Sequence, residues 1–141
     1  MNDDVVLDAS VVANWLLASA RPAEALSFFQ SYALRSAPDL IFAEFVSVAS
    51  RLVRRGLVSK MTARDAVERL PLLIDEIASV ADLAGPAYDL TERYGFSAYD
   101  SVYLALALRR DRPLVTADAK LARRAIDMGL ADHVRLLTPE P

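Results

Sequence analysis

Residues 5–10 read Val5-Val6-Leu7-Asp8-Ala9-Ser10, an apolar run that ends in a carboxylate and a turn of small residues. A similar stretch, Leu114-Val115-Thr116-Ala117-Asp118, lies near the other end of the chain. Short apolar runs of this kind are typical of strands that are buried on both faces of a parallel sheet. Such sheets bind their ligands at the carboxyl ends of the strands. We therefore expect Asp8 and Asp118 at the functional edge of one α/β sheet.

Helical and strand-like patterns alternate along the chain, with no linker, repeat or low-complexity segment to divide them. The sequence predicts a mostly parallel central sheet of four or five strands flanked by helices, in a single domain over residues 1–141. The predicted elements are a strand over 4–8, helices over 10–19, 22–34 and 39–56, a helix from a capping box at 62–65 that ends or kinks at Pro71, an ambiguous segment 72–80, a helix reaching Tyr94 that Gly85-Pro86 opens or interrupts, a helix over 97–110, a strand over 114–116, a helix over 118–128 and a strand over 134–137.

Two further carboxylates, Glu44 and Asp100, interrupt apolar helical segments. Glu44 shares a helix face with Ile41 and Val48, and Asp100 shares one with Tyr103, so both side chains should point towards the sheet. A carboxylate among apolar neighbours is costly unless a counter-charge pairs with it. No basic residue at helical spacing offers that pairing. For either residue alone, a partly exposed acid that caps or pairs is an equally good interpretation, but four such acids favour a shared pocket.

If the four carboxylates converge, each close pair repels by roughly 4 kcal/mol at ~4 Å and a surface-like dielectric, and a divalent cation is the natural counter-charge. Oxygen ligands select Mg²⁺ or Mn²⁺, and two such ions promote in-line cleavage of a phosphodiester. Hydrolysis of a nucleic-acid backbone is the leading hypothesis. Ser10 and Thr116 lie two residues from Asp8 and Asp118 and are candidates to orient a ligand or hold a metal-bound water. Local turn capping is the alternative role for both hydroxyls.

The amino-acid composition excludes several classes of protein. The chain has 54% hydrophobic and 25% charged residues, which is typical of a compact fold. The absence of cysteine excludes disulfides, thiolate catalysis and cysteine-ligated zinc. No apolar run approaches the ~20 residues of a membrane span, and the Met1-Asn2-Asp3-Asp4 start lacks the positive charge of a secretory signal. We expect a cytoplasmic protein with no membrane partner.

The net charge of −3 argues against a broad electrostatic footprint for nucleic acid, but the basic residues are clustered. Either cluster offers a place for a phosphate backbone, and solvated helix ends are the more ordinary interpretation. The first cluster comprises Arg51, Arg54, Arg55, Lys60 and Arg64, and the second Arg109, Arg110, Arg112, Lys120, Arg123 and Arg124.

The acidic motifs, in this order and within this length, resemble a PIN domain of the VapC type, the toxin ribonuclease of bacterial and archaeal toxin–antitoxin pairs. The resemblance covers nearly the whole chain. It rests on Val-Leu-Asp-Ala-Ser at 6–10, Pro-Asp-Leu-Ile-Phe-Ala-Glu at 38–44, Ser-Ala-Tyr-Asp-Ser-Val-Tyr-Leu-Ala-Leu-Ala at 97–107 and Leu-Val-Thr-Ala-Asp at 114–118.

The resemblance implies a Rossmann-like PIN fold, a homodimer, and Mg²⁺- or Mn²⁺-dependent endonucleolytic cleavage of RNA under the control of a VapB-like antitoxin. Carried over by position, Asp8, Glu44, Asp100 and Asp118 take the family's acidic metal-ligand roles, and Ser10 and Thr116 fall at its hydroxyl-bearing positions. Some family members carry a further acid or amide shortly after the final Asp, where this chain has Ala119 and Lys120. The lone histidine, His133, is expected at the surface.

Apolar residues are in excess in the segment 22–34 and in the helix that ends at Gly56. This excess marks either core or, as the resemblance implies, a groove for the apolar C-terminal segment of the antitoxin. A different class of function also remains open, a binding module that keeps the fold and sequesters RNA or a protein partner without turnover. Phosphoryl-acceptor regulation through Asp8 is weaker, because Lys120 does not lie in a clear strand-end context.

Overall fold

The computed structural model describes residues 3–18 and 22–137 and contains a five-stranded sheet in the order β3-β2-β1-β4-β5. Every neighbouring pair of strands is parallel. The predicted α/β class with a parallel sheet is therefore confirmed. The strands are β1 (Asp4–Leu7), β2 (Leu34–Pro38), β3 (Glu76–Ala78), β4 (Leu114–Thr116) and β5 (Val134–Leu136).

Successive residues of β1 point to opposite faces of the sheet, and Val5, Val6 and Leu7 are all fully buried. Both faces of the sheet are therefore covered by helices. No helix within the described ranges is long and apolar enough to cross a bilayer. The helices are α1 (Ala9–Ala13), which continues into a π-helical segment (Asn14–Ala18), α2 (Pro22–Gln30), α3 (Leu40–Arg54), α4 (Lys60–Leu73), α5 (Val80–Tyr94), α6 (Ala98–Arg110) and α7 (Ala119–Asp127), with a 3₁₀ turn at Ala131–His133.

The order of the strands determines where a ligand can bind. From β1 the chain moves outwards to β2 and β3 on one side, then returns to β4 and β5 on the other. Strand order therefore reverses between β1 and β4, and the loops after these two strands diverge to leave a crevice at their carboxyl ends. The buried runs at 5–7 and 114–115 build the two strands that flank this crevice.

The predicted helix over 22–34 was wrong in its last four residues, and the strand that begins at Leu34 was not predicted. The helix ends at Gln30, and Leu34 begins β2, which pairs with β1 on one side and β3 on the other. The sequence of β2, Leu-Arg-Ser-Ala-Pro, has no β-branched residue and ends in proline, so it carries no local strand signal. Pairing with two neighbouring strands overrides the weak local preference.

The capping box at Thr62 was also wrong, and of the two outcomes predicted at Pro71 the helix end is excluded. Helix α4 begins three residues earlier, where the Ser59 hydroxyl accepts a hydrogen bond from the Thr62 N–H, and it continues through Pro71 to Leu73. A proline so close to the end removes one backbone bond without preventing the last turn. The ambiguous segment 72–80 contains β3, and Ser79 caps α5, which begins at Val80 and contains Pro86.

Other boundaries agree with the sequence. Ser97 caps α6, and Gly95, with a φ of 75°, provides the left-handed residue that ends α5. The first helix begins at Ala9 rather than Ser10, and Ser19, its predicted end, lies outside the described residues.

Candidate active site

A cleft of about 270 Å³ opens at the carboxyl edge of β1 and β4. All four predicted carboxylates line it, so segments that are separated by as many as 110 residues meet there. The lining residues are Asp8, Ala9, Ser10, Glu44, Ser47, Val48, Arg51, Asp100 and Asp118.

Asp8 follows β1 directly and is held by two hydroxyl groups. Thr116 Oγ1 donates to Asp8 Oδ2 at 2.7 Å, and Ser10 Oγ donates to the same oxygen at 2.8 Å. Each hydroxyl in turn accepts a backbone bond, Ser10 from the Ala117 N–H and Thr116 from the Asp118 N–H, both at 3.0 Å. These hydroxyls therefore fix the Asp8 side chain between β1 and β4, and Ser10 does not act as a helix cap.

Burial raises the pKa of the Asp8 carboxyl, and the negative charge of Asp118 adds to the rise. Hydrogen bonds from Thr116, Ser10 and the Ala9 backbone oppose it, because they stabilise the ionised form. The ionised form of Asp8 is thus destabilised by burial and by Asp118, and its hydrogen-bond donors offset this destabilisation only in part.

Asp118 occupies the N-cap of α7. Its Oδ1 accepts hydrogen bonds from the backbone N–H groups of Lys120 at 3.0 Å and Leu121 at 3.1 Å. A negative charge is favourable at a helix N-terminus, where backbone N–H groups point outwards. The start of α7 therefore orients this carboxylate at the edge of the cleft.

Glu44 reaches the cleft from α3 and lies against Tyr103 of α6. Glu44 Oε1 and the Tyr103 hydroxyl are both buried, and neither makes a hydrogen bond of normal geometry within the described ranges. Burial raises the pKa of Glu44, and the charges of Asp8 and Asp100 raise it further, while the nearby Tyr103 hydroxyl lowers it. Burial, followed by the Glu44 charge, raises the pKa of Tyr103. Glu44 thus carries a buried acceptor oxygen that makes no hydrogen bond within the described ranges, although the Tyr103 hydroxyl lies nearby.

Asp100 lies in the first turn of α6, where the Ser97 hydroxyl caps the Asp100 N–H. Burial raises the pKa of Asp100, and the charges of Asp8 and Asp118 act in the same direction. The Ser97 hydroxyl and the more distant Arg124 guanidinium lower it. The charges of neighbouring acids thus contribute to the raised pKa values of Asp8, Glu44 and Asp100.

The chemistry of the donors fits a hard divalent cation. The acidic and hydroxyl side chains that line the cleft provide oxygen ligands, and Glu44 Oε1 makes no hydrogen bond within the described ranges. The arrangement of these side chains is less favourable for binding a cation than their chemistry is. Across residues 3–18 and 22–137, no three histidine, cysteine, aspartate or glutamate side chains are arranged to hold one ion together. The metal-ligand roles of the four acids therefore stay a prediction.

Ser47 and Arg51 were not predicted for this site. Both are exposed on α3 and line the cleft beyond Glu44. A signal was present, since residues three and seven positions after Glu44 share its helix face. His133 lies elsewhere, with its Nε2 atom 2.8 Å from Asp111 Oδ1.

Comparisons with known proteins concern the family and the fold of this chain. The family profile described as "PIN domain" matches residues 5–127, a range that contains all four acids. Ribonuclease VapC1 of Mycobacterium tuberculosis is 32% identical over 120 residues, covering 85% of this chain and 90% of that protein.

Solved structures share the fold at lower identity. VapC20 of Mycobacterium tuberculosis, a toxin that cleaves the sarcin–ricin loop, superposes with a TM-score of 0.62 at 20% identity, covering 84% of this chain and 93% of that one. A toxin–antitoxin complex from Klebsiella pneumoniae gives a TM-score of 0.62 at 17% identity, with coverage of 96% and 98%. At these identities the superpositions establish the fold alone.

Proposed function

Because this chain belongs to the PIN domain family and is related along most of its length to a VapC ribonuclease, we propose that it is an endoribonuclease that acts as the toxin of a toxin–antitoxin pair. One observation supports this function above the others. Asp8, Glu44, Asp100 and Asp118 come from four separate segments and line a single cleft at the edge of the sheet where ligands of such folds bind.

Mg²⁺ or Mn²⁺ would be held by Asp8, Glu44, Asp100 and Asp118, since hard cations prefer carboxylate oxygens. When bound, such a cation supplies positive charge opposite the phosphate and makes water more acidic. The chain's own residues do the positioning. Thr116 and Ser10 hold Asp8 through one oxygen.

The cleft contains no nucleophilic cysteine or histidine in the described ranges. A water molecule is therefore the proposed nucleophile, and RNA phosphodiester bonds are the proposed substrate. Without a counter-charge, four carboxylates would repel the phosphate, which is the physical reason to expect the reaction to require a divalent cation.

A VapB-like antitoxin is the proposed partner, and a homodimer the proposed assembly. The excess of apolar residues found in the sequence divides between two roles. Phe29 of α2 and Phe45 of α3 are fully buried and belong to the core. Leu26 of α2 and Val46 of α3 are 44% and 49% exposed, and we propose that exposed apolar side chains of these helices contact the antitoxin's apolar segment. The cytoplasm, where RNA and antitoxin are both present, is the proposed location.

Cleavage assays with purified protein test the enzymatic proposal. RNA should be cut when Mg²⁺ or Mn²⁺ is added, and Asp8→Asn and Asp100→Asn should each lower the rate by about 100-fold or more. Asp127→Asn is the matched control, because Asp127 is an exposed acid at the end of α7, away from the cleft. Circular dichroism should show that all variants are folded. Cleavage by both cleft variants at the wild-type rate would exclude the proposed site.

A binding module without turnover is the second candidate. The observation that favours it is that no three carboxylates in the described ranges are arranged around a common ion position. Metal titration separates the two functions, since a ligand that binds only the native state raises its stability. For a metal-dependent enzyme, Mg²⁺ or Mn²⁺ should raise the melting temperature of the wild type more than that of Asp100→Asn. Equal shifts, together with no cleavage, would favour the binding module.

A further inference from the structure

Most basic residues of the two clusters found in the sequence bind other parts of the protein. Their guanidinium groups are therefore engaged in contacts within the protein. The bonds are Arg54 to Ser50 Oγ, Arg64 to Glu68, Arg109 to the Asp82 carbonyl, Arg110 and Arg112 to Glu76, and Arg124 to the carbonyls of Tyr94 and Gly95.

Arg51 differs from these residues in its position and in its contacts. It is exposed and lines the cleft, and its side chain makes no hydrogen bond or ion pair within residues 3–18 and 22–137. It lies seven residues after Glu44 on α3, which places it two turns and about 10 Å farther along the same face. Its guanidinium group is therefore a cation at the rim of the cleft with no ion pair to any of the four carboxylates within the described ranges.

We propose that Arg51 binds a backbone phosphate of the RNA next to the phosphate that enters the acidic cleft, and that it is a positioning residue for the substrate. The proposal rests on the function proposed above. The planar guanidinium group binds phosphate oxygens in a bidentate manner, and an unpaired arginine breaks no internal contact to do so. Because the base of the cleft repels RNA, a cation at the rim provides attraction where the strand enters.

Arg55 extends this row of positive charge. It lies one helical turn beyond Arg51, is exposed, and likewise makes no side-chain bond or ion pair within the described ranges. The face of α3 thus carries Glu44 in the cleft, Arg51 at its rim and Arg55 beyond it. A single RNA strand that leaves the cleft along α3 meets two successive cations.

Binding of a fluorescein-labelled, mixed-sequence, single-stranded RNA tests the proposal without turnover when every protein carries Asp100→Asn. Addition of Arg51→Gln should weaken binding about fivefold and reduce the slope of log K against log salt by about 0.7, the value for one lost phosphate contact on a single strand. Arg54→Gln removes the same charge from the same helix, from a side chain that bonds Ser50 and does not line the cleft. It should leave affinity within twofold. Arg51→Lys should restore most of the salt dependence.

Turnover provides a second measurement, made in the protein with Asp100 intact. A phosphate contact away from the scissile bond holds substrate and transition state equally, so Arg51→Gln should raise KM and leave kcat unchanged. Arg54→Gln should change neither. If Arg51→Gln and Arg54→Gln behave alike while Asp8→Asn abolishes cleavage, the assignment of Arg51 is wrong and the ribonuclease function stands.

The converse result separates the two proposals in the other direction. If the protein does not cut RNA but binds it in a manner that depends on Arg51, the ribonuclease function is wrong and the Arg51 contact is retained. If RNA does not bind at all, or if Arg51→Gln alters binding of an antitoxin and not of RNA, the Arg51 proposal is overturned.

Discussion

Thr116 donates a 2.7 Å hydrogen bond to Oδ2 of Asp8, a residue 108 positions earlier in the chain. The bond joins the last residue of β4 to the residue that follows β1, at the edge of the cleft. Thr116 is fully buried and also accepts a bond from the Asp118 N–H, so one hydroxyl group positions two of the four acids. The arrangement of the carboxylates therefore depends on groups that carry no charge.

Replacement of Thr116 by valine should affect both stability and the pH profile. Valine keeps the shape but removes a donor from Asp8 and an acceptor from the Asp118 N–H, at a cost of about 1–3 kcal/mol in the free energy of unfolding. The Thr116 bond lowers the pKa of Asp8, so its loss should raise that pKa and move the acidic limb of the activity profile to higher pH. Urea denaturation and a pH–rate profile measure the two effects.

Thr91→Val is the matched control for this change. Thr91 bonds Ser101 at 2.9 Å between α5 and α6, outside the cleft. It should lose about 1 kcal/mol of stability without any change in the acidic limb. An acidic limb at the same pH in Thr116→Val and the wild type would contradict the role given to Thr116.

Replacement of Glu44 by glutamine should stabilise the protein near neutral pH while it removes cleavage. Burial and the neighbouring acids raise the native pKa of Glu44, so the native state binds this proton more tightly than the unfolded chain. The stability that Glu44 contributes is present below its ordinary pKa and is lost as pH rises through the raised native value. With EDTA present, Glu44→Gln should be more stable than the wild type at pH 7.5, by about 1 kcal/mol.

The advantage of Glu44→Gln should shrink towards pH 4, where the wild-type carboxyl is protonated. Urea denaturation at the two pH values measures it. Glu92→Gln, a change at an exposed position on α5, is the control and should alter stability by less than about 0.5 kcal/mol at either pH. A loss of stability at pH 7.5 in Glu44→Gln would show that the Glu44 charge is compensated in the native state.

An ion-pair network at β3 should give a pH dependence of stability opposite to that of Glu44. Arg112 Nη1 bonds Glu76 at 2.8 Å and Ser36 at 2.7 Å, and Arg110 also bonds Glu76. These contacts lower the pKa of Glu76, and the hydrogen bond from Arg112 has the largest effect. Its contribution to stability is present above the ordinary value of 4.5 and is lost as pH falls through the lower native value.

Glu76→Gln should therefore cost about 1–2 kcal/mol at pH 7, and this difference should vanish at acidic pH, as measured by urea denaturation. Glu76 is only 34% exposed, and its main partner Arg112 is 13% exposed. Glu68→Gln is the control, because the Arg64–Glu68 pair is 81% and 64% exposed and contributes less than about 0.5 kcal/mol. Equal losses in the two variants would mean that the β3 network is no stronger than a surface pair.

Local signals predicted the elements that carry the site. The apolar runs before Asp8 and Asp118 are strands, and Ser97 caps the helix that contains Asp100, because burial pattern and capping chemistry both act over a few residues. The helical phase of Glu44 also placed it on the face that lines the cleft. These features are properties of short segments, which the sequence contains in full.

By itself, then, the sequence determined the parallel α/β class, the identity of the candidate acids and the family resemblance. The tertiary structure alone decided that residues 34–38 form the strand beside β1, that Tyr103 lies against Glu44, and that Arg51 remains free while Arg112 is bound to Glu76. The physical reason is the range of the interactions. Strand pairing and ion pairing join residues that are tens of positions apart, and a local pattern contains no information about which of several equivalent partners will be near.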